Sequence, residues 1–141
     1  MLEERSAGAV LFYGNSSSRE YLILHYPSGH WDFPKGNIEP DEKIRQTVRR
    51  EVKEETGIDD IEMREGFEKK IEYYYRRDEQ MVHKVVTFLL AESKSKDVKI
   101  SFEHEGFSWL HYPDAFAKLT FKNAKSILKD AEDFLNIRPV S

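Results

Sequence analysis

The sequence contains no cysteine and no long hydrophobic run. Without thiols, the chain has no disulfide bond, no thiolate metal site and no cysteine nucleophile. No stretch approaches the ~20 apolar residues of a membrane-spanning helix. The first apolar segment, 7–13, follows Glu3-Glu4-Arg5 and therefore lacks the basic flank of a signal peptide. We expect a cytoplasmic protein that makes no membrane contact.

An excess of basic residues is also missing. The 22 Lys and Arg are outnumbered by 26 Asp and Glu, which gives a net charge of -4. Proteins that hold long nucleic acids depend on many basic contacts to phosphates, so this balance disfavours such a partner. The 141 residues are 39% hydrophobic and 34% charged, which is typical of one globular domain, here expected to span residues 1–141. The oligomeric state stays open.

The hydrophobic pattern predicts a mixed α/β (α+β) fold. Apolar alternation and turn residues predict strands over 6–13, 20–26, 63–76, 81–92 and 106–112. Segment 27–40 is predicted as loop with room for a short strand. Helical spacing predicts helices over 41–56, with Gly57 as its C-terminal cap, and from Phe121 onward. The run 85–90 is apolar on both faces, as in a central strand that is covered on both sides. Two helices and at least five strands in mixed order indicate a sheet covered by helices.

The predicted helix 41–56 carries carboxylates on its apolar face. At about 100° per residue, its apolar stripe is formed by Ile44, Val48 and Val52. Glu51 and Glu55 fall on the same bearing, and Glu54 flanks it. Burial of unpaired carboxylates costs several kcal/mol each, on the order of magnitude known for ions taken from water. Either a basic side chain or a metal ion meets them, or the helix end extends past the core and they reach water.

The spacing of these three glutamates suits a hard dication. Oxygens at i, i+3 and i+4 on one helix face match the ligands that Mg²⁺ prefers, with water and substrate phosphates completing its shell. Arg50 lies close to Glu54 on the helix and could orient a carboxylate through a bidentate pair.

The surrounding segment, residues 36–58, resembles the signature of the Nudix hydrolases. It reads Gly, five residues, Glu, seven residues, Arg-Glu, aliphatic, any, Glu-Glu, any, Gly, aliphatic, and every fixed position is matched. The resemblance implies an α/β/α sandwich around a mixed sheet. It also implies hydrolysis of nucleoside diphosphates linked to another group, with Mg²⁺ or Mn²⁺ as cofactor.

The resemblance also assigns roles within the motif. It implies that Glu51 and Glu55 are metal ligands, that Glu54 is a ligand or the general base, and that Arg50 orients them. The carbonyl of Gly36 is a further ligand candidate. Glu42 lies opposite Glu51 on the helix wheel, so we expect it to hold the helix start or a basic group of a loop, in preference to binding the metal ion.

A second resemblance concerns the substrate. The segment 30–36, His-Trp-Asp-Phe-Pro-Lys-Gly, is similar to the one that precedes the motif in asymmetric diadenosine tetraphosphate hydrolases. Shorter similarities continue at 65–67, Tyr73, Lys84, 103–105, 109–110 and 121–122. The resemblance implies a small nucleotide substrate, diadenosine tetraphosphate, cleaved to ATP and AMP. Alternatives are an RNA 5′ end, 8-oxo-dGTP or another triphosphate, ADP-ribose, or a nucleotide sensor without activity.

Five residues are candidates for substrate binding. By resemblance, Tyr73 stacks on adenine, and Phe121 is either a second ring of a clamp or a core residue. Lys35 and Lys84 are expected to meet phosphate oxygens, although Lys84 also fits an ordinary exposed strand position. Trp31 either flanks the nucleotide or pins the loop that precedes the motif.

One carboxylate outside the motif is a further candidate. By resemblance, Glu103 reaches the metal cluster from another loop and takes part in catalysis, with Glu105 as its competitor. His104 between them fits an acid-base or phosphate-binding group, or a surface histidine. Trp109, on an apolar strand, is expected in the core.

Overall fold

A computed structural model describes residues 1–137. These residues form seven strands and three helices. The strands are β1 (Leu2–Tyr13), β2 (Glu20–His25), β3 (Trp31–Asp32), β4 (Lys35–Asn37), β5 (Ile61–Arg77), β6 (Gln80–Ser93) and β7 (Gly106–Leu110). The helices are α1 (Ile44–Thr56), α2 (Tyr112–Lys118) and α3 (Lys122–Ile137). The predicted fold class, a mixed sheet with helices, is confirmed. The predicted domain extent, 1–141, includes residues 138–141, which lie outside the described residues, and stays a prediction.

β1 organises the sheet. It pairs in parallel with β6 from Leu2–Val82 to Phe12–Glu92, and β6 pairs antiparallel with β5. On its other side, β1 pairs antiparallel with β4 near Ala7 and with β2 near Phe12. β2 continues the sheet to β3 and β7. Strand β4, which opens the motif, is therefore fixed against the centre of the sheet.

β6 is covered on both faces, as its sequence predicts. Val86, Phe88 and Leu90 face one core, to which α3 contributes Ala124, Ile127, Leu128, Ala131 and Leu135. Leu89 and Ala91 face the other core, where Val48 and Val52 of α1 are buried. Trp109 is partly buried against this second core. Helices therefore lie on both sides of the sheet.

Helix α1 begins later than predicted and ends where predicted. Its first residue is Ile44 instead of residue 41, because Asp41 has a left-handed φ of 66°. Gly57 takes the left-handed cap conformation, with φ 76°, and its N–H donates to the carbonyl of Lys53 at 2.9 Å. Only glycine adopts this conformation without steric cost.

The region after β7 differs most from prediction. The strand ends at Leu110, and Tyr112–Lys118 forms a short helix that the sequence analysis missed. Phe121 lies just ahead of α3 and is 48% exposed. The last helix, predicted from Phe121 onward, thus begins one residue later, and the carbonyl of Phe121 accepts a hydrogen bond from the N–H of Lys125 at 3.1 Å. In residues 1–137, no helix is long and apolar enough to cross a membrane.

Candidate active site

Gly36 and Glu51 are in direct contact. A Cβ added to Gly36 would lie 2.1 Å from the carboxyl carbon of Glu51 and 2.3 Å from both of its oxygens. Pairing of β4 with β1 holds Gly36 in place, and packing of α1 on the sheet holds Glu51. The glycine of the motif is therefore required because the carboxylate occupies the space of a side chain.

The three glutamates of α1 differ in burial as the helix wheel predicts. The side chain of Glu55 is 5% exposed and that of Glu51 is 13% exposed, whereas that of Glu54 is 56% exposed. The alternative that these carboxylates simply reach water beyond the core is wrong for Glu55 and Glu51. Both must be neutralised within the fold.

Arg50 forms ion pairs with the carboxylates of Glu42, Glu51 and Glu54, which together are called the carboxylate cluster. Its Nε and Nη2 donate to the two oxygens of Glu42 at 2.8 and 3.0 Å. Its Nη1 donates to Glu51 at 2.7 Å and to Glu54 at 3.2 Å. The expectation that Arg50 orients a carboxylate agrees with this geometry, but its bidentate partner is Glu42. Hydrogen bonds from Arg50 and Thr47 lower the pKa of Glu42 to about 2.

Glu42 lies at the helix start, as expected, but its basic partner is Arg50 of α1 instead of a loop residue. One of its oxygens accepts the hydroxyl of Thr47 at 2.6 Å and the backbone N–H of Glu39 at 3.0 Å, beside the start of α1. The other accepts Nε of Arg50. Glu42 thus joins the loop before the helix to the guanidinium that orients the cluster.

Glu55 and His104 form a buried polar contact. Nε2 of His104 lies 3.2 Å from Oε1 of Glu55, and neither atom makes a well-formed hydrogen bond in residues 1–137. Burial raises the pKa of Glu55, and its contact with Glu51 raises it further. Burial also lowers the pKa of His104. His104 is 7% exposed, so the surface-histidine alternative is wrong.

The predicted polar residues, with the exception of the buried Glu55, line one open depression. Its volume is about 380 Å³, and β4, α1, β6 and the loop before β7 contribute to it. Its lining consists of Ser6, Lys35, Gly36, Asn37, Glu39, Arg50, Glu51, Glu54, Lys84 and Glu103. The backbone N–H of Glu105 instead donates to the carbonyl of His25 at 2.8 Å. The geometry thus favours Glu103 over Glu105 at this depression.

Lys84 lies near one acidic side chain, Glu4, and one basic side chain, Lys35. Its side chain is 20% exposed, and its Nζ lies 4.0 Å from Glu4. Burial and the nearby charge of Lys35 lower its pKa. An ordinary exposed strand residue would have neither feature.

An aromatic cavity of about 320 Å³ adjoins the depression. It is lined by Asp32, Lys35, Ile71, Tyr73, Phe88, Phe121, Asn123 and Ala124. Tyr73 is 38% exposed and Phe121 48% exposed, so both rings are open to a ligand. The core alternative for Phe121 is wrong. Lys35 lines both spaces and joins them.

Trp31 is fixed by other contacts. Its ring stacks on His25 with centroids 4.4 Å apart, and Nζ of Lys118 lies 4.3 Å from its centroid. Its backbone N–H donates to Oγ1 of Thr120 at 2.8 Å. Trp31 is not among the residues that line the aromatic cavity or the depression, and its contacts fix the loop ahead of β4.

The carboxylates suit a divalent metal ion. Burial and the nearby carboxylate of Glu51 raise the pKa of Glu55, so a proton or a cation must offset the charge of this pair. An all-oxygen donor set is the one preferred by hard dications. Among residues 1–137, no three acidic or histidine side chains already surround a common point. Glu51 and Glu54 are instead paired with Arg50.

A helix-borne carboxylate cluster beside a lysine-lined, nucleoside-sized cavity is typical of hydrolases that use divalent metal ions to cleave phosphoanhydrides. The NUDIX domain family model matches residues 3–131, and the chain belongs to this family. It is a Nudix hydrolase, as its sequence motif predicts.

The chain is similar to two mammalian tetraphosphatases in sequence and to an Ap4A hydrolase in structure. The asymmetrical bis(5′-nucleosyl)-tetraphosphatase of Sus scrofa is 34% identical, over 93% of this chain and 95% of the relative. The enzyme of the same name from Mus musculus is 33% identical, over 96% and 97%. A binary complex of a C. elegans Ap4A hydrolase superimposes with a TM-score of 0.83 at 28% identity, over 96% of this chain and 99% of that one. The predicted resemblance to asymmetric diadenosine tetraphosphate hydrolases is confirmed.

Proposed function

We propose that this chain, acting as one domain, hydrolyses diadenosine tetraphosphate to ATP and AMP with Mg²⁺ or Mn²⁺. The observation that carries the proposal is the position of Lys35, which lines both the aromatic cavity and the carboxylate depression. A nucleoside in the cavity would thus extend its phosphate chain past a lysine into the site. The similarity to an asymmetrical bis(5′-nucleosyl)-tetraphosphatase and to an Ap4A hydrolase supports the same substrate.

In this proposal, Tyr73 and Phe121 bind the adenine ring between them. Stacking of a base on an aromatic side chain is worth ~1–3 kcal/mol. Lys35 and Lys84 bind phosphate oxygens as point charges. Trp31 contributes to substrate binding by ordering the loop that carries Lys35.

The glutamates supply the reaction chemistry. Glu51, Glu55, Glu54, Glu103 and the carbonyl of Gly36 are the groups that would hold the divalent ion. When bound, the ion neutralises phosphate charge and acidifies water. The water oxygen bonds to phosphorus, the bridging P–O bond breaks, and its electron pair stays on the leaving phosphate. A carboxylate of the cluster accepts the water's proton, with Glu54 the most accessible of the three on α1, and Arg50 positions the cluster.

The first experiment is product analysis with four substrates. The chain is incubated with Mg²⁺ and diadenosine tetraphosphate, ADP-ribose, 8-oxo-dGTP or 5′-triphosphorylated RNA, and the nucleotides are separated. We expect ATP and AMP from the dinucleotide at a rate well above the others. A clear preference for another substrate overturns the proposed substrate, and binding without turnover of any would identify a sensor.

Replacing Tyr73 with alanine should raise KM for diadenosine tetraphosphate by about 10- to 100-fold, which corresponds to the loss of one stacking contact. Tyr74→Ala is the matched control. Tyr74 is 57% exposed and stacks on His83, and it does not line the cavity. Steady-state kinetics of both variants test the assignment, and equal effects would exclude Tyr73 as the base contact.

Metal binding should release a proton. In the metal-free protein, the raised pKa of Glu55 keeps this carboxyl protonated near neutral pH. A metal ligand must be deprotonated, so metal affinity should rise with pH. Calorimetric titration with Mn²⁺ in two buffers of different ionisation enthalpy should show about one proton released per site. Glu55→Gln should abolish the difference between buffers, and a heat that is identical in both buffers for the unaltered chain would contradict the prediction.

A further inference from the structure

The aromatic cavity is lined by two polar residues, Asp32 and Asn123, that are not among the five substrate-binding candidates of the sequence. Most of its lining is apolar or aromatic, and Phe88, 1% exposed, lies within the core. Besides Lys35, the polar members are Asp32 and Asn123. A mainly apolar pocket with a few polar groups is the usual form of a site that recognises the orientation of its ligand.

Asp32 is a rigid acceptor in the wall of this cavity. It is 4% exposed. Its Oδ1 accepts the backbone N–H of Phe33 at 2.8 Å, and its Oδ2 accepts Nζ of Lys35 at 3.0 Å. These contacts fix the carboxylate and offset its charge. Each oxygen can accept a further hydrogen bond, because an ionised carboxylate has about four acceptor positions.

Asn123 brings both a donor and an acceptor to the same cavity. It is exposed in the first turn of α3, two residues after Phe121. Within residues 1–137, its amide has no protein hydrogen-bond partner. A side-chain amide can pair with adenine in a bidentate manner, accepting from the amino group and donating to a ring nitrogen.

We propose that Asp32 and Asn123 select adenine in the aromatic cavity, with Asp32 accepting a hydrogen bond from the exocyclic amino group. This inference rests on the proposed function, since it concerns the base of the same substrate. A carboxylate only accepts hydrogen bonds, so the ligand edge that faces it must carry an N–H. Adenine carries an amino group at C6, whereas hypoxanthine carries a carbonyl there. That carbonyl oxygen would face the carboxylate oxygen without a proton between them.

The competing explanation is that Asp32 only positions Lys35. Its ion pair with Lys35 would then matter for the phosphates, and its loss would weaken all substrates equally. Discrimination between bases separates the two explanations, because the phosphate chain is the same in both substrates.

The test compares diadenosine tetraphosphate with diinosine tetraphosphate, using the full chain loaded with Mg²⁺. For the unaltered chain, we expect kcat/KM to favour adenine by about 10- to 100-fold, the range expected for one well-formed base contact. Asp32→Asn, which keeps the size of the side chain, should reduce this preference to less than about threefold, since its amide can donate to the carbonyl. Lys84→Met, which removes a proposed phosphate contact outside the aromatic cavity, should lower both rates while leaving the preference in place.

Asn123→Ala provides a second variant at an exposed position, where folding is not at risk. It should reduce the adenine preference several-fold. An unchanged preference in Asp32→Asn overturns the base-reading role, and so does a preference of the unaltered chain for inosine or guanosine. If neither dinucleotide is cleaved, the proposed function fails. Calorimetric binding of AMP and IMP to the same variants then decides the base reading separately.

Discussion

Glu51→Gln is expected to lower kcat by about 10³-fold while leaving the fold intact. A metal-held arrangement contributes several kcal/mol to transition-state stabilisation, and each 1.4 kcal/mol is about tenfold in rate. Glutamine keeps the shape that packs on Gly36 but removes the charge that a cation would bind. The measurements are steady-state kinetics with saturating Mg²⁺ and thermal unfolding by circular dichroism.

Glu65→Gln is the matched control for this variant. The side chain of Glu65 is 82% exposed, and its partner is Arg45, outside the depression. The Glu65→Gln variant should equal the unaltered chain in activity and in stability. Activity of Glu51→Gln within tenfold of normal would exclude Glu51 as an essential ligand. Loss of folding would show that its ion pair with Arg50 is structural instead.

Gly36→Ala should reduce kcat by about 10²-fold, although it adds only one methyl group. The new Cβ would lie 2.1 Å from the carboxyl carbon of Glu51, so the carboxylate must move. A displacement of about 1 Å in a catalytic arrangement can cost 10²-fold in rate. The moved carboxylate would also lose its 2.7 Å contact with Arg50.

Gly106→Ala controls for the general effect of adding a methyl group to a strand. Its nearest neighbour, Cβ of His25, would lie 3.9 Å away, which is an ordinary contact. It should retain normal kcat and differ little in melting temperature. Equal losses in both variants would mean that sheet distortion, and not the displacement of Glu51, lowers the rate of Gly36→Ala.

The parts of the fold that follow a long periodic pattern could be predicted from the sequence. Helix α1 has helical hydrophobic spacing, Gly57 is a glycine at the expected cap position, and β6 contains a run that is apolar on both faces. Each of these patterns indicates one kind of element. The seven-residue helix α2 lacks such a pattern, because its one buried side chain, Ala115, gives no periodicity. The left-handed Asp41 likewise has no signal in the sequence, so the start of α1 was placed too early.

Some features of the candidate site could likewise be predicted from the sequence, and others could not. The charge pattern on α1 predicted that Glu51 and Glu55 lie on its apolar face, and the structure leaves only 13% and 5% of their side chains exposed. The pairing of Arg50 with Glu42 depends on how the preceding loop folds back, which no spacing reveals. Burial of His104 and the cavity position of Asp32 depend on contacts between distant segments.

The register of β1 with β6 ties residues 2–5 to the β5–β6 hairpin, which carries the proposed nucleotide contacts Tyr73 and Lys84. Leu2 to Arg5 pair with Val82 to Val85, beside the strand that carries Tyr73. Glu4 also accepts hydrogen bonds from Tyr75 at 2.5 Å and from Arg77 at 2.7 Å. Removing residues 2–5 would therefore loosen the hairpin that carries the proposed nucleotide contacts. In engineering this enzyme, residues 2–5 should therefore be kept as part of the support of the proposed binding site.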